Sequence, residues 1–382
     1  MNTSTSQQWI DVGVFRLPMS APEDVSGLQH LLETQQIQAA DIVAIIAQTE
    51  GTGYARGYAS LCLQLLLSQY LQISVEDVFH RIPMMMIGLC GGLMSPHYTI
   101  FTRKAVAAPS APPQEKRLAV GIADTRVLLP EEYGTMTQVE LVAEAVEAAI
   151  AQAGISSLND VHCVEIKCPA MTLARLQDAE KRRVKVVNTN LNQASSMAKG
   201  ACALGIGLAL KEIPQEKLDD RAINSNHALY TNRGSVSAGG EQSACRVLVM
   251  GNSEFSASRY RVGSGVMQDQ LDTTGVYAAL KSAGLNCQIP LTTDQQNKIT
   301  QVFVNCGADA VTAVGNRRHT MHSDFLAGYT GIMAKAVANA IVASVVGDTM
   351  ILASAGNEHQ GARGSNLVAA IVDAGTMQCL AH

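Results

Sequence analysis

The feature that most constrains this chain is an internal repeat, because each third of it shows the same order of elements. A short apolar strand comes first, at residues 41–46, 161–166 and 300–304, and each runs into one polar residue: Gln48, Lys167 or Asn305. A helix rich in small residues follows, opening around a basic one: Ala55-Arg56-Gly57, Ala198-Lys199-Gly200 and Ala334-Lys335-Ala336. Its small side chains permit close approach to a neighbouring element, as in a buried helix. A glycine-rich loop then leads into a second apolar strand. The loops are Ile87-Gly88-Leu89-Cys90-Gly91-Gly92, Ser237-Ala238-Gly239-Gly240-Glu241 and Ser354-Ala355-Gly356-Asn357-Glu358, and the strands after them lie at 98–101, 246–250 and 367–372.

Three such units predict an α/β fold of similar repeat units around a pseudo-threefold axis, a toblerone-like prism with one active site at its centre. The units divide the chain at residues 1–106, 107–252 and 253–382, and the second carries both Lys167 and Ser237. Between them, residues 107–115 read as a Pro- and Ala-rich linker and 138–154 as an amphipathic helix. Asn252-Ser253-Glu254 reads as a turn near the second boundary, which falls in 251–263.

Composition narrows the partner. The 382 residues are 47% hydrophobic, enough for a sizeable core, and the net charge of −5 is spread over interspersed acids and bases. No basic field is present to hold nucleic acid or anionic lipid, so a small-molecule partner is expected. No run of about 18 apolar residues suggests a membrane span, and Met1-Asn2-Thr3-Ser4 does not open a signal peptide. The nine cysteines include no C-x-x-C pair, which speaks against zinc and a disulfide framework. Cys163, Cys168, Cys202, Cys245 and Cys306 read as buried thiols of a protein in the reducing cytoplasm.

Ser237 and Lys167 are the candidates for the chemistry. Serine is a weak nucleophile at neutral pH and needs a base. A lysine held at a strand end between Ile166 and Cys168-Pro169 is expected to lose solvation, which favours the neutral amine. Backbone N–H groups of Ala238 or Gly239 are placed to meet a developing oxyanion. A strand-end lysine and a Ser-Ala-Gly-Gly turn each have an ordinary structural reading as well. His97, after Ser95-Pro96, is a weaker catalytic candidate that a capped turn entering a strand explains at least as well, and Arg317-Arg318-His319 reads as a solvated surface.

The order of these motifs resembles the ring-opening amidohydrolases, the family of cyanuric acid hydrolase and barbiturase, along essentially the whole chain. Asp11-Val12-Gly13-Val14-Phe15-Arg16-Leu17-Pro18, Thr49-Glu50-Gly51, Ser95-Pro96-His97, Leu129-Pro130-Glu131-Glu132, Lys167-Cys168-Pro169, Ala203-Leu204-Gly205-Ile206, Arg318-His319-Thr320-Met321 and Glu358-His359-Gln360-Gly361 carry it. The resemblance implies three Ser–Lys pairs around one axis, each with a ring-binding arginine. The catalytic pair would be Lys167 and Ser237. Arg56, Ile87, Gly88, Lys199, Ala238, Lys335, Ser354 and Ala355 would surround the ring, in an enzyme that assembles as a homotetramer.

Departures from the family are as telling. Gln48 and Ile87 stand where its first unit has lysine and serine, and Asn305 where its third has lysine. Lys199 and Lys335 replace two arginines, trading a planar fork of donors for point charges. No cofactor is expected, and the family's structural metal site, near Gln360-Gly361, has Gly307 in place of its carboxylate. A ring whose edges are all alike does not suit an arm built of Ile87. The expected reaction is hydrolytic opening of a cyclic amide or imide other than cyanuric acid. Two alternatives are a catalytically silent or regulatory paralogue that binds a small heterocycle, and a non-hydrolytic lactam or heterocycle transformation in the same pocket.

Overall fold

The computed structural model describes residues 8–109 and 115–375. Met1 to Ser4 and the middle of the 107–115 linker lie outside them. The first unit runs β1 (Trp9–Pro18), α1 (Ser26–Glu33), β2 (Ile42–Gln48), α2 (Gly53–Leu71), α3 (Val75–Arg81), β3 (Met84–Ile87) and β4 (His97–Val106). The second runs β5 (Arg117–Asp124), α4 (Met136–Gln152), β6 (Val161–Pro169), α5 (Leu173–Arg182), α6 (Leu191–Ala209), β7 (Gly234–Gly239) and β8 (Arg246–Ser253). The third runs β9 (Tyr260–Met267), α7 (Thr274–Ser282), α8 (Thr293–Gln296), β10 (Ile299–Cys306), a small hairpin β11 (Ala313–Val314) and β12 (Arg317–Arg318), α9 (Thr330–Val346), β13 (Leu352–Ala355) and β14 (Asn366–Asp373).

Each unit makes one four-stranded sheet, ordered β1-β4-β2-β3, β5-β8-β6-β7 and β9-β14-β10-β13. The topology is the same three times. In every sheet the pair at one end, β2/β3, β6/β7 or β10/β13, is parallel and the other pairings are antiparallel. Parallel neighbours need a crossover, and the helices α2, α6 and α9 supply it.

One face of each sheet meets the other two sheets on the axis. Val12, Ile46 and Phe101 from the first, Val120, Leu248 and Met250 from the second, and Val262, Phe303 and Ile371 from the third form one apolar cluster there. The opposite faces pack on their own helices, which explains why the central strands read as near-continuous apolar runs rather than alternating ones. Small residues allow the tight packing expected of the helices: a β-carbon at Gly205 of α6 would lie 2.6 Å from Val139 O of α4.

The sequence reading needs four corrections. It missed the outer strands β1, β5 and β9, which lie outside the strand–helix–loop–strand order it followed in each third of the chain. Ser237 lies on strand β7 rather than opening a loop, because Gly234–Gly239 pairs along β6 despite a Gly- and Ser-rich sequence of low strand preference. Lys199 sits near the middle of α6, which begins earlier because the Asn190 side chain caps Asn192 N and Gln193 N. Asn252 and Ser253 are the end of β8, where Asn252 Nδ2 donates to Val262 O at 2.7 Å, so they are not a turn.

The segment Ala327–Val346 is apolar and long enough to cross a membrane, with a mean hydropathy of 1.5. In the fold α9 instead packs on its own sheet and buries Lys335 and Asn339.

Candidate active site

The repeat sets up the site by register. Gln48 pairs with Ile87 across β2/β3, Lys167 with Ser237 across β6/β7, and Asn305 with Ser354 across β10/β13. These are the same position in three sheets, and partners in register share a face. Only the middle pair joins an amine to a hydroxyl.

A cavity of about 570 Å³ opens there and draws on all three units. Arg56, Ile87, Gly88 and Leu89 line it from the first unit, Lys167, Lys199, Ser237 and Ala238 from the second, and Lys335, Ser354 and Ala355 from the third. Every catalytic and ring-binding residue named from the sequence is therefore in one place. Gln48 and Asn305 are not on its wall. Gln48 is buried and ties the units together, donating to Ile87 O at 3.2 Å and accepting from Ala353 N at 2.8 Å. Asn305 donates to Gly356 O at 2.8 Å.

Sequence reasoning missed Leu89, Asn192, Gly328, Tyr329, Thr330, Gly331 and Ile332, which also line the cavity. The signal was available. Asn192 lies seven residues before Lys199, and Ile332 and Gly331 lie three and four before Lys335, on the same helix faces.

Lys167 is 1% exposed. Its Nζ donates to Met86 O at 2.9 Å and lies 4.0 Å from Glu241 Oε1. Burial lowers its pKa to about 8, the Glu241 carboxylate opposing this and the Arg56 charge adding to it. Among the described residues, no hydrogen bond joins Nζ to Ser237 Oγ.

The other two lysines have partners too. Lys199 Nζ lies 2.6 Å from Glu358 Oε1. Burial works against the Lys199 ammonium, but that carboxylate outweighs it and raises the pKa. Lys335 Nζ donates to Gly88 O at 2.5 Å, and burial lowers its pKa. Arg56 packs against Gly88, and its Nε has no hydrogen-bond partner among the described residues. The apolar wall is Ile87, Leu89 and Ile332.

The Glu358–Gly361 motif braces this site from behind. Gln360 Oε1 accepts from Val236 N at 2.7 Å, one residue before Ser237, and Thr231 N donates to His359 O at 2.9 Å. The residues here do not fit the metal implied for this loop. Gly307 offers no carboxylate, and a β-carbon there would lie 2.9 Å from Asn357 Nδ2. That amide donates to Gln360 O at 3.4 Å and Ala362 O at 3.2 Å, so it already occupies the loop carbonyls. Among the described residues no group of three His, Cys, Asp or Glu is placed to hold a metal.

His97 lies away from the cavity. It is fully buried at the start of β4, with Nδ1 2.8 Å from Ser95 O and Nε2 3.0 Å from Gln301 Nε2, and burial lowers its pKa to about 4. Arg317 and Arg318 are exposed on the β12 strand.

Fold and site together define a three-unit α/β enzyme with one axial, cation-lined pocket shared by all three units. Residues 13–373 match the model of the amidohydrolase ring-opening protein family. A cyclic amide hydrolase of Azorhizobium caulinodans is 42% identical over 367 residues, covering 95% of this chain and 100% of that protein. A cyanuric acid amidohydrolase of Enterobacter cloacae is 40% identical over 364 residues, covering 94% and 98%. A solved cyanuric acid hydrolase, described as an evolutionary innovation by structural concatenation, superposes with a TM-score of 0.89 at 37% identity, covering 96% of this chain and 100% of that one. The chain belongs to the ring-opening amidohydrolase family and is an enzyme of C–N bond hydrolysis.

Proposed function

We propose that this enzyme opens a cyclic imide, lactam or modified pyrimidine through an acyl-enzyme on Ser237, with neutral Lys167 as the base. Lys167 Nζ takes the Ser237 proton as Oγ attacks a ring carbonyl. The Ala238 backbone N–H meets the oxyanion. The ring C–N bond breaks, and the Lys167 ammonium returns its proton to the departing nitrogen. Water then attacks the ester, giving a proton to Lys167, which passes it to Ser237 as the carboxylic acid leaves. The observation that carries the reading is the Lys167–Ser237 register pair on the cavity wall. Burial of Lys167 supports it, because an amine shifted to about 8 is neutral in roughly a tenth of molecules at pH 7, against less than a thousandth at its usual pKa of 10.5.

Arg56, Lys335, Lys199 and Ser354 hold the polar edges of the ring, and Ile87 faces an apolar or substituted edge. An unpaired carbonyl against Ile87 costs on the order of 1–3 kcal/mol, which disfavours cyanuric acid. No cofactor takes part, and the enzyme works as a cytoplasmic homotetramer on a small heterocycle, with neither nucleic acid nor membrane as partner. Ser237→Ala and Lys167→Met each abolish turnover while leaving the far-UV circular dichroism and melting curve in place. Retained turnover in either variant removes the assignment.

A silent, ring-binding protein is the second reading. It is favoured by the Lys167 amine donating to Met86 O instead of Ser237 Oγ. Binding of barbituric acid or N-methylbarbituric acid without ring opening would establish it. Absence of solvent oxygen from a product would mark a non-hydrolytic reaction.

A further inference from the structure

We propose that Glu241 is a positioning residue for this reaction, whose carboxylate sets the charge state of Lys167. The proposal rests on the Ser–Lys reading above. Glu241 lies in the turn after β7, where Gln242 N donates to Gly239 O at 3.3 Å and Ala170 N donates to the same oxygen at 2.9 Å. This turn folds the Glu241 side chain back over the strand end, placing Oε1 4.0 Å from Lys167 Nζ. Gly239 records the packing. Its backbone is not in the left-handed region, so conformation alone does not demand glycine. A β-carbon there would land on the Glu241 carboxylate, so glycine leaves the carboxylate its place and a larger residue would push it aside.

The surroundings leave Glu241 without a substitute. The charged and titratable groups acting on Lys167 are Arg56 from α2, Lys335 from α9, Cys168 beside it on β6, and Glu241. Two of these are cations and one is a thiol. Among the described residues Glu241 alone brings a carboxylate to this buried lysine. It is also partly exposed, at 31% against 2% for the Lys167 side chain, so its effect is screened by solvent. Without it, burial and the neighbouring cations would depress the amine further. Lys167 would then be neutral over a wider pH range but a weaker base. A pair of charges at this separation, discounted for that exposure, corresponds to about one pH unit.

The test is titration of Lys167 by NMR of protein labelled at lysine Cε, the resonance being assigned by its loss in Lys167→Met. In Glu241→Gln the midpoint falls by about one pH unit. Gly239→Ala, which displaces the carboxylate without removing it, gives a shift of the same sign, and Glu241→Asp a smaller one. The acid limb of kcat/KM for N-methylbarbituric acid moves down in parallel. An unchanged midpoint in Glu241→Gln overturns the proposal, and so does a midpoint that moves while the acid limb stays. Turnover in Lys167→Met instead overturns the Ser–Lys reading, whatever Glu241 does.

Discussion

Ile87→Ser changes which ring this enzyme prefers. Ile87 is buried against the axial cluster and also forms part of the cavity wall, as the register partner of Gln48. The substitution removes roughly three carbons from a packed position, for a stability loss of about 3 kcal/mol. At the cavity it works in two ways. A hydroxyl reaching an unsubstituted ring carbonyl gains about 1 kcal/mol, and loss of contact with an N-methyl group costs about 0.8 kcal/mol. Together these shift the preference by about 2 kcal/mol, or roughly 30-fold. The assay is the ratio of kcat/KM for barbituric acid to that for N-methylbarbituric acid, in the parent and in a variant whose melting curve shows it folded. A folded variant whose ratio moves less than about threefold refutes the idea that this arm meets the ring edge.

Other outcomes follow from buried groups outside the chemistry. Glu165 is buried on β6 two residues before Lys167, and burial raises its pKa to about 7, the Ser235 hydroxyl opposing. Its carboxyl is neutral in the fold at low pH, so the stability it contributes is present below about 4.5 and lost as pH rises through 7. Glu165→Gln therefore gains about 3 kcal/mol over the parent at pH 8 and nothing at pH 4, measured by urea unfolding. If the Asn357 amide does the work of a cation in the loop after β13, a chelator leaves Tm unchanged. Asn357→Ala, losing two hydrogen bonds, then lowers Tm by a few degrees. A chelator that lowers Tm of the parent defeats that account.

The fold was legible because three apolar strands, each ending in a polar residue, recur at the same place in each third of the chain. The same repetition located the cavity wall, from Arg56 in the first unit to Ala355 in the third. Less legible was what depends on pairing instead of composition. Strand β7 contains two glycines and two serines and becomes a strand only because β6 lies beside it. Lys199 and Lys335 read as free ring-binding charges, yet Glu358 and Gly88 O hold them, contacts that no local pattern announces. The role of Glu241 went unnoticed for the same reason, since its approach to Lys167 depends on how one turn folds back.

The central claim is that Ser237 becomes acylated. Rapid acid quench during turnover of N-methylbarbituric acid, followed by peptide mass mapping, reads this directly. The account predicts a mass increment equal to the ring-opened substrate on the peptide containing Ser237, absent in Ser237→Ala. An adduct on Ser354, or steady turnover in Ser237→Ala, contradicts it.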